Sequence, residues 1–382
     1  MAEEIDAGVL RKYEIQQKLG KGAYGVVWRA IDKQTREVVA LKKIFDAFQN
    51  ATDAQRTFRE IMFLQELNGH DNIIKLNNVI RAENDRDIYL TFEFMETDLH
   101  AVIRADILED VHRRYIMYQI FRALKYVHSA RLLHRDLKPS NVLLNSECAV
   151  KLADFGLARS LGSLRDEDGT NPALTDYVAT RWYRAPEILL SSSQYTAGVD
   201  SWAAGCILGE LLGGKPLFPG TSTVNQLERI LDVCGRPTPD EIASLKSPYA
   251  ATMLESMRAP ASPRFEAVFP NAPADAIDLL RRLLAFNPAD RPTSEEALAH
   301  PYVARFHDPA DEPSAPAPIV APFDDDTKLD VAAYRDRLYL NLVRRKRDAT
   351  RKARAKAAAD PRQSTTYQTE HTRAAAHHGR AR

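Results

Sequence analysis

Residues 134–141 read His-Arg-Asp-Leu-Lys-Pro-Ser-Asn, which places an acid, a cation and an amide within one short loop. Such a set can move a phosphoryl group. Asp136 accepts or orients a hydroxyl proton, Lys138 neutralises charge on the group in flight, and Asn141 holds a metal. Asp154-Phe155-Gly156 adds a second oxygen ligand and an aromatic side chain to pack beside it. Ala185-Pro186-Glu187 follows 31 residues after Asp154 and closes off the segment between them.

Upstream stands Gly20-Lys21-Gly22-Ala23-Tyr24-Gly25-Val26-Val27. Alone this is a weak signal, because the same glycine spacing opens a helix in dinucleotide-binding folds. Here Val26-Val27-Trp28-Arg29-Ala30 continues as a strand, which argues against that fold. Glycines let a hairpin close over phosphates and aim its amides at them. Val39-Ala40-Leu41-Lys42 then ends an apolar strand on a lysine. A lysine there is ordinarily a solvated edge charge, and it becomes a phosphate ligand when an acid fixes it. Glu60, on the following helix, is placed to do so. Any one of these motifs reads as a turn; five in this order do not.

The elements that must position them follow from the hydrophobic pattern. Residues 13–48 alternate apolar and polar positions around glycines and predict twisted antiparallel strands. Thr52-Asp53-Ala54-Gln55 reads as a capping box opening a helix that carries Phe58, Ile61, Met62 and Gln65. Strands resume near 73–80 and 88–94. After Asp98 the period becomes helical, with Ile116, Ile120, Ala123, Leu124 and Val127 on one face. Short loop-and-strand segments fill 134–158, a polar stretch 160–176 has no regular pattern, and helices dominate 200–300. Prolines from Pro309 to Pro322 end them, 326–343 predicts one more helix, and the basic remainder reads as low-complexity chain without fixed structure.

With 382 residues, 45% hydrophobic and 27% charged, the chain has the make-up of a folded enzyme with room for two lobes. Its zero net charge hides an asymmetry: from Asn341 on there are 12 Lys/Arg against 3 Asp/Glu, leaving 40 basic and 49 acidic residues before it. An acidic body with a basic tail does not describe a dedicated nucleic-acid binder, and the tail has no interleaved aromatics to stack bases. Arg344-Arg345-Lys346-Arg347 reads first as a solvated run and second as a nuclear-import signal. Three scattered cysteines form neither a disulfide framework nor a zinc site, and imply a reducing compartment. The N-terminus lacks the order of a signal peptide, and no apolar run is long enough to span a membrane. The reading is a soluble, cytoplasmic chain with nuclear entry as the second location.

Taken together the motifs resemble the protein kinase family over residues 13 to about 303. The resemblance implies an α+β bilobal fold, with a β-rich small lobe over 13–95 and an α-helical large lobe over 96–303. Residues 1–12 would be an extension, 304–343 a segment of docking acids and one helix, and 344–382 a basic tail. It also implies ATP and Mg2+ between the lobes. The nucleotide would meet Leu19, the loop Gly20 to Val27, Ala40, Lys42 held by Glu60, Phe92 as gatekeeper, Glu93 and Met95 as hinge, and Leu143. Asn141 and Asp154 would hold the metal. Glu187 should pair with Arg291, and Asp200 should anchor the catalytic loop.

Thr175-Asp176-Tyr177 followed by Val178-Ala179-Thr180-Arg181-Trp182-Tyr183-Arg184 resembles the activation lip of mitogen-activated protein kinases. An added stretch between Gly235 and Ala276 matches that group's insert, and Phe306 to Pro313 resembles its docking acids, Asp308, Asp311 and Glu312. Within the group, the runs KKIFDAF, TDAQRTFREI, IRAENDRDIYL and FPGTSTVNQLE are most similar to the extracellular signal-regulated kinase 7/8 (mitogen-activated protein kinase 15) type. That likeness implies a monomeric, proline-directed serine/threonine kinase with Ser-Pro or Thr-Pro substrates and docking peptides as partners. An upstream dual-specificity kinase, or the chain itself, would phosphorylate the lip. Phosphorylated Thr175 would meet Arg59, Arg135 and Arg159, and phosphorylated Tyr177 would meet Arg181 and Arg184. A catalytically dead scaffold is the rival reading, and the presence of Lys42, Asp136 and Asp154 together argues against it. A cyclin-dependent kinase would carry a different helix from Gln55-Arg56-Thr57-Phe58-Arg59-Glu60-Ile61 and usually a lone lip threonine.

Overall fold

Alternating small and branched residues build the first third of the chain into a sheet. The computed structural model describes residues 4–22, 25–161, 180–192, 196–319 and 329–359. A short helix α1 (Ala7–Leu10) precedes strands β1 (Tyr13–Gly22), β2 (Gly25–Asp32) and β3 (Val38–Ile44). After helix α2 (Ala51–Glu66) come β4 (Leu76–Arg81) and β5 (Ile88–Glu93). The five strands form one antiparallel sheet in the order β1-β2-β3-β5-β4. In β2 the period of two puts Val26, Trp28 and Ala30 into a cluster with Val9, Tyr13, Leu41 and Tyr89. Val27 therefore faces the opposite side, toward the other lobe.

The cap of α2 differs from the expected Thr52 box. Asn50 is the N-cap, and its side chain accepts from the amides of Thr52 and Asp53 at 3.0 and 2.9 Å. Asparagine caps at least as well as threonine, so the helix starts as soon as a capping side chain is available.

Beyond the hinge, short strand β6 (Thr97–Asp98) leads into α3 (Leu99–Ala105) and α4 (Asp110–Ser129). On α4, Ile116, Ile120, Ala123, Leu124 and Val127 are buried, as their spacing predicts. Strands β7 (Leu132–Leu133), β8 (Val142–Leu144), β9 (Val150–Leu152) and β10 (Arg159–Ser160) carry the loops between them in two small sheets, β6-β8-β9 and β10-β7. Helix α5 (Pro186–Leu189) is followed by α6 (Gly198–Gly213), which is buried on nearly every side. Gly205 allows its close packing, because a Cβ there would come within 2.8 Å of Leu284. Further helices follow, from α7 (Thr223–Cys234) to Ser294–Leu298.

Residues 329–382 separate as a second compact unit from 1–328. Its helix runs Val331–Ala359, 29 residues, well past the expected end at Val343. Alanine, arginine and lysine are among the strongest helix formers, so low complexity here does not mean irregular backbone.

Candidate active site

Between the sheet and the helical lobe lies a cavity of about 530 Å³, within the usual range for a small-molecule site. Leu19, Val27, Ala40 and Leu143 give it apolar walls, and Phe92, Glu93 and Met95 line the strand-to-lobe connection. Gly20, Lys42, Glu60, Asn141 and Asp154 also line it. Lys21, Gly22, Gly25 and Val26 do not. Val26 is buried on the far face of the sheet, so it is a core residue rather than a nucleotide contact. Ala23 and Tyr24 lie outside the described residues. Ile74, Glu96, Thr97, Asp98, Ser140 and Ala153 line the cavity without having been anticipated, because no local motif announces them.

Polar geometry concentrates at the inner end. Lys42 Nζ donates to Glu60 Oε1 at 2.8 Å, closing the strand-to-helix contact. Burial alone would push the Lys42 ammonium down, but Glu60 and Asp154 outweigh it and hold it above the ordinary lysine range. Lys138 Nζ donates to Asp136 Oδ2 at 2.7 Å, and Asn141 Nδ2 donates to the Asp136 carbonyl at 2.8 Å. Asp154 stands in a left-handed conformation, φ +61°, with Oδ1 accepting from the Gly156 amide at 3.3 Å. Burial raises its carboxyl, yet Lys42, Arg56 and Lys138 together hold it below the usual carboxylate range.

The loop that carries Asp136 is anchored from below. Asp200, fully buried, accepts from the His134 amide at 2.9 Å, the Arg135 amide at 2.8 Å and His128 Nε2 at 2.9 Å. Burial would raise that carboxyl, but His128 leads the groups that keep it low and ionised. His134 accepts at Nδ1 from the Asp136 amide, so its Nε2 donates to the Ala153 carbonyl at 3.1 Å, and its ring packs 4.7 Å from Phe155. One buried imidazole thus ties the acid's loop to the segment of Asp154. Glu93 turns its carboxylate onto Lys151 at 3.0 Å and the Lys75 amide at 2.7 Å, so it offers the cavity backbone rather than charge.

The donor set suits a hard divalent ion bound with a phosphate. Asn141 commits its Nδ2 to Asp136, which leaves Oδ1 as an acceptor, and Asp154 supplies a carboxylate. No group of three His, Cys, Asp or Glu that could hold a metal occurs among the described residues. An ion here must complete its shell with phosphate oxygens and water, as small hard cations do.

The protein kinase domain model matches residues 13–303. Extracellular signal-regulated kinase 2 of Dictyostelium discoideum is 64% identical over 352 residues, spanning 92% of this chain and 95% of that one. Mitogen-activated protein kinase 15 of Xenopus laevis is 58% identical over 92% of this chain, and extracellular signal-regulated kinase 7 of Drosophila melanogaster 48% over 88%. The chain spans 60% and 37% of those two longer relatives.

The chain is a mitogen-activated protein kinase. It is of the extracellular signal-regulated kinase 7/8 type, a proline-directed serine/threonine kinase of signalling that uses ATP and a divalent metal.

Other expected features of this kinase fall as follows. Glu187 meets Arg291 through two hydrogen bonds of 2.6 and 2.9 Å, deep in the large lobe. The lip residues Thr175 and Tyr177 lie outside the described residues. Of the arginines expected to meet them, Arg59 is buried on α2, and Arg159 pairs across β10-β7 with Leu133, two residues from Arg135. Helix α2 packs on the turn Phe155–Leu157, and Arg135 Nη1 donates to the Leu157 carbonyl at 3.2 Å. Arg181 Nη1 donates to the Thr221 carbonyl at 3.2 Å, and Arg184 follows at the end of the same 3-10 turn. Asp308 caps a short turn, and Asp311 keeps a largely exposed carboxylate 3.2 Å from Arg122. Glu312 departs from its expected docking role. Its side chain is fully buried, takes a hydrogen bond from His307 Nδ1 at 2.8 Å and lies 3.8 Å from Lys125. A carboxylate turned inward onto His307 and Lys125 is not offered to a peptide.

Proposed function

We propose that this kinase transfers the γ-phosphoryl group of ATP, with Mg2+ as the metal, to protein hydroxyls through the Asp136 loop. The observation that carries this reading is that hydrogen bonds join Asp136 and Lys138 to each other and Asp136 to Asn141, which lines the same cavity as Lys42 and Asp154. Asp136 orients the acceptor hydroxyl and takes its proton. Lys138 balances charge as it develops, and the Lys42–Glu60 pair fixes the phosphates. Asn141 and Asp154 would hold the metal, which would supply neutralisation of the phosphate charge.

Regulation follows the lip. Phosphates on Thr175 and Tyr177 each add about −1.5 to −2 charge. Arg59, Arg135 and Arg159 come from separate elements, so one phosphate on Thr175 ties both lobes together, while Arg181 and Arg184 serve Tyr177. An upstream dual-specificity kinase or the chain itself adds them. Asp308 and Asp311 draw basic docking peptides. The kinase acts as a monomer in the cytoplasm, with nuclear entry through Arg344 to Arg347, and binds neither nucleic acid nor membrane. No helix among the described residues is long and apolar enough to cross one.

Asp136→Asn and Lys42→Met test the site. Each should lower phosphotransfer by about 10²–10⁴-fold, since each removes a positioned acid or a clamp. Thermal unfolding should stay near that of the parent. Activity within a few-fold of the parent in either variant would remove that residue from the assignment.

A further inference from the structure

Arg56 has no part in the scheme above, yet it sits on the carboxylate that the scheme gives to the metal. It precedes Glu60 by four residues on α2, so the two side chains share one helix face. Glu60 takes Lys42, and Arg56 Nη2 donates to both oxygens of Asp154, at 3.1 Å to Oδ2 and 3.4 Å to Oδ1. The arginine also lies flat across Gly156. A Cβ on that glycine would fall 2.8 Å from Arg56 Cγ and Nε, so the residue after Phe155 has to be small for this arrangement to form. The pair is only partly closed off: Arg56 keeps 28% and Asp154 26% of the side chain open to solvent.

We infer that Arg56 is a resident cation on the metal-binding carboxylate, and that a divalent ion reaches Asp154 by displacing it. A guanidinium donating to both oxygens, with the Gly156 amide also on Oδ1, competes for the lone pairs a metal would use, and its charge repels an incoming dication. With about a quarter of each side chain open to solvent, such a pair exchanges more readily than one sealed in a core. Arg56 therefore sets how much metal the kinase requires, and it couples metal entry to α2, the helix that also holds Lys42 through Glu60. A positioning arginine of this kind keeps the Asp154 side chain in place between turnovers. Its cost is a weaker metal site.

The inference rests on the reading of Asp154 as a metal ligand, and the experiment separates the two. The full chain, saturated with ADP so that no turnover occurs, is titrated with Mn2+ while free Mn2+ is followed by electron paramagnetic resonance. Asp154→Asn should lose the tight Mn2+; if it does not, the metal-site reading fails and takes this inference with it. With that established, Arg56→Gln should bind Mn2+ about 1.5-fold to fivefold tighter than the parent, the range a weak, partly exposed pair commands. Arg56→Lys, which keeps the charge, should return most of the way to the parent. Equal or weaker binding by Arg56→Gln overturns the inference alone. A second measurement needs no variant: adding Mg2+ to the ADP complex should shift the Nε–Hε resonance of Arg56, and an unmoved resonance overturns it as well.

Discussion

Two arginine–carboxylate pairs in this kinase are made of the same groups and behave as opposites. Arg291 and Glu187 are sealed, with 0% and 2% of their side chains exposed. The remaining donors of that guanidinium reach the carbonyls of Ala285, Gly198 and Phe286 at 2.8, 2.9 and 3.0 Å, and its plane lies over Trp202. Every hydrogen that burial strips of water has found an acceptor. Arg56 and Asp154, by contrast, meet at 3.1 Å with about a quarter of each side chain open to solvent. What separates a structural pair from an exchangeable one is burial, not the residue types.

The largest effect that should distinguish them is Glu187→Gln. It leaves the shape and removes the charge, so Arg291 stays buried with nothing to balance it. A loss of about 3–5 kcal/mol in urea unfolding is expected, with Mn2+ affinity of the ADP complex unchanged in whatever folds. A loss below about 1 kcal/mol would mean that burial is not what sets this pair apart.

A smaller effect concerns a buried group on which burial and a nearby cation outweigh the neighbouring Asp71. His70 is 5% exposed, its Nδ1 accepts from the Asn72 amide at 3.1 Å, and its ring lies 4.7 Å from Tyr126. Burial first, and Arg122 after it, lower its pKa from 6.5 to about 4. As pH falls through 6.5 the unfolded chain takes up a proton that the folded chain refuses until about 4. The contribution is therefore complete above 6.5 and shrinks below it, by about 2 kcal/mol at pH 5. Urea midpoints at pH 7.5 and 5 should show this slope in the parent and a flatter one in His70→Gln. Equal slopes would acquit the histidine.

The smallest effects belong to the docking acids, where exposure and burial divide neighbours in one turn. Asp308→Asn and Asp311→Asn should each weaken a basic docking peptide by about 0.2–1 kcal/mol in titration calorimetry. Together they should flatten its salt dependence. Glu312→Gln should leave the peptide's affinity alone and lower stability instead. Were all three to behave alike, the inward turn of Glu312 would count for nothing in docking.

Much of the site was legible in the chain because its chemistry is local. Asp136, Lys138 and Asn141 fall within six residues, and the Asp136 backbone itself completes the contact with Asn141. Lys42 and Glu60 were legible because a strand ending and a helix face each have a fixed period. Errors arose where a choice between equivalent local solutions was made elsewhere. Thr52 and Asn50 both cap; Val26 and Val27 both fit a nucleotide loop; a low-complexity tail can be coil or, as here to Ala359, helix. The i, i+4 spacing of Arg56 and Glu60 was visible, but nothing in it names Asp154, 98 residues away, as the arginine's partner.

Spacings of a few residues are enough to make this chain a kinase and to single out Asp136, Lys138, Asn141 and Lys42 as candidates, with the strands and helices that carry them. The tertiary structure alone decided which face of β2 meets the cavity, that Glu312 points inward, and that Arg56 rests on Asp154. Those outcomes turn on what lies across a gap from each side chain. Burial, and the partner found there, decides whether a charge becomes scaffold, switch or surface, and neither can be read along the chain.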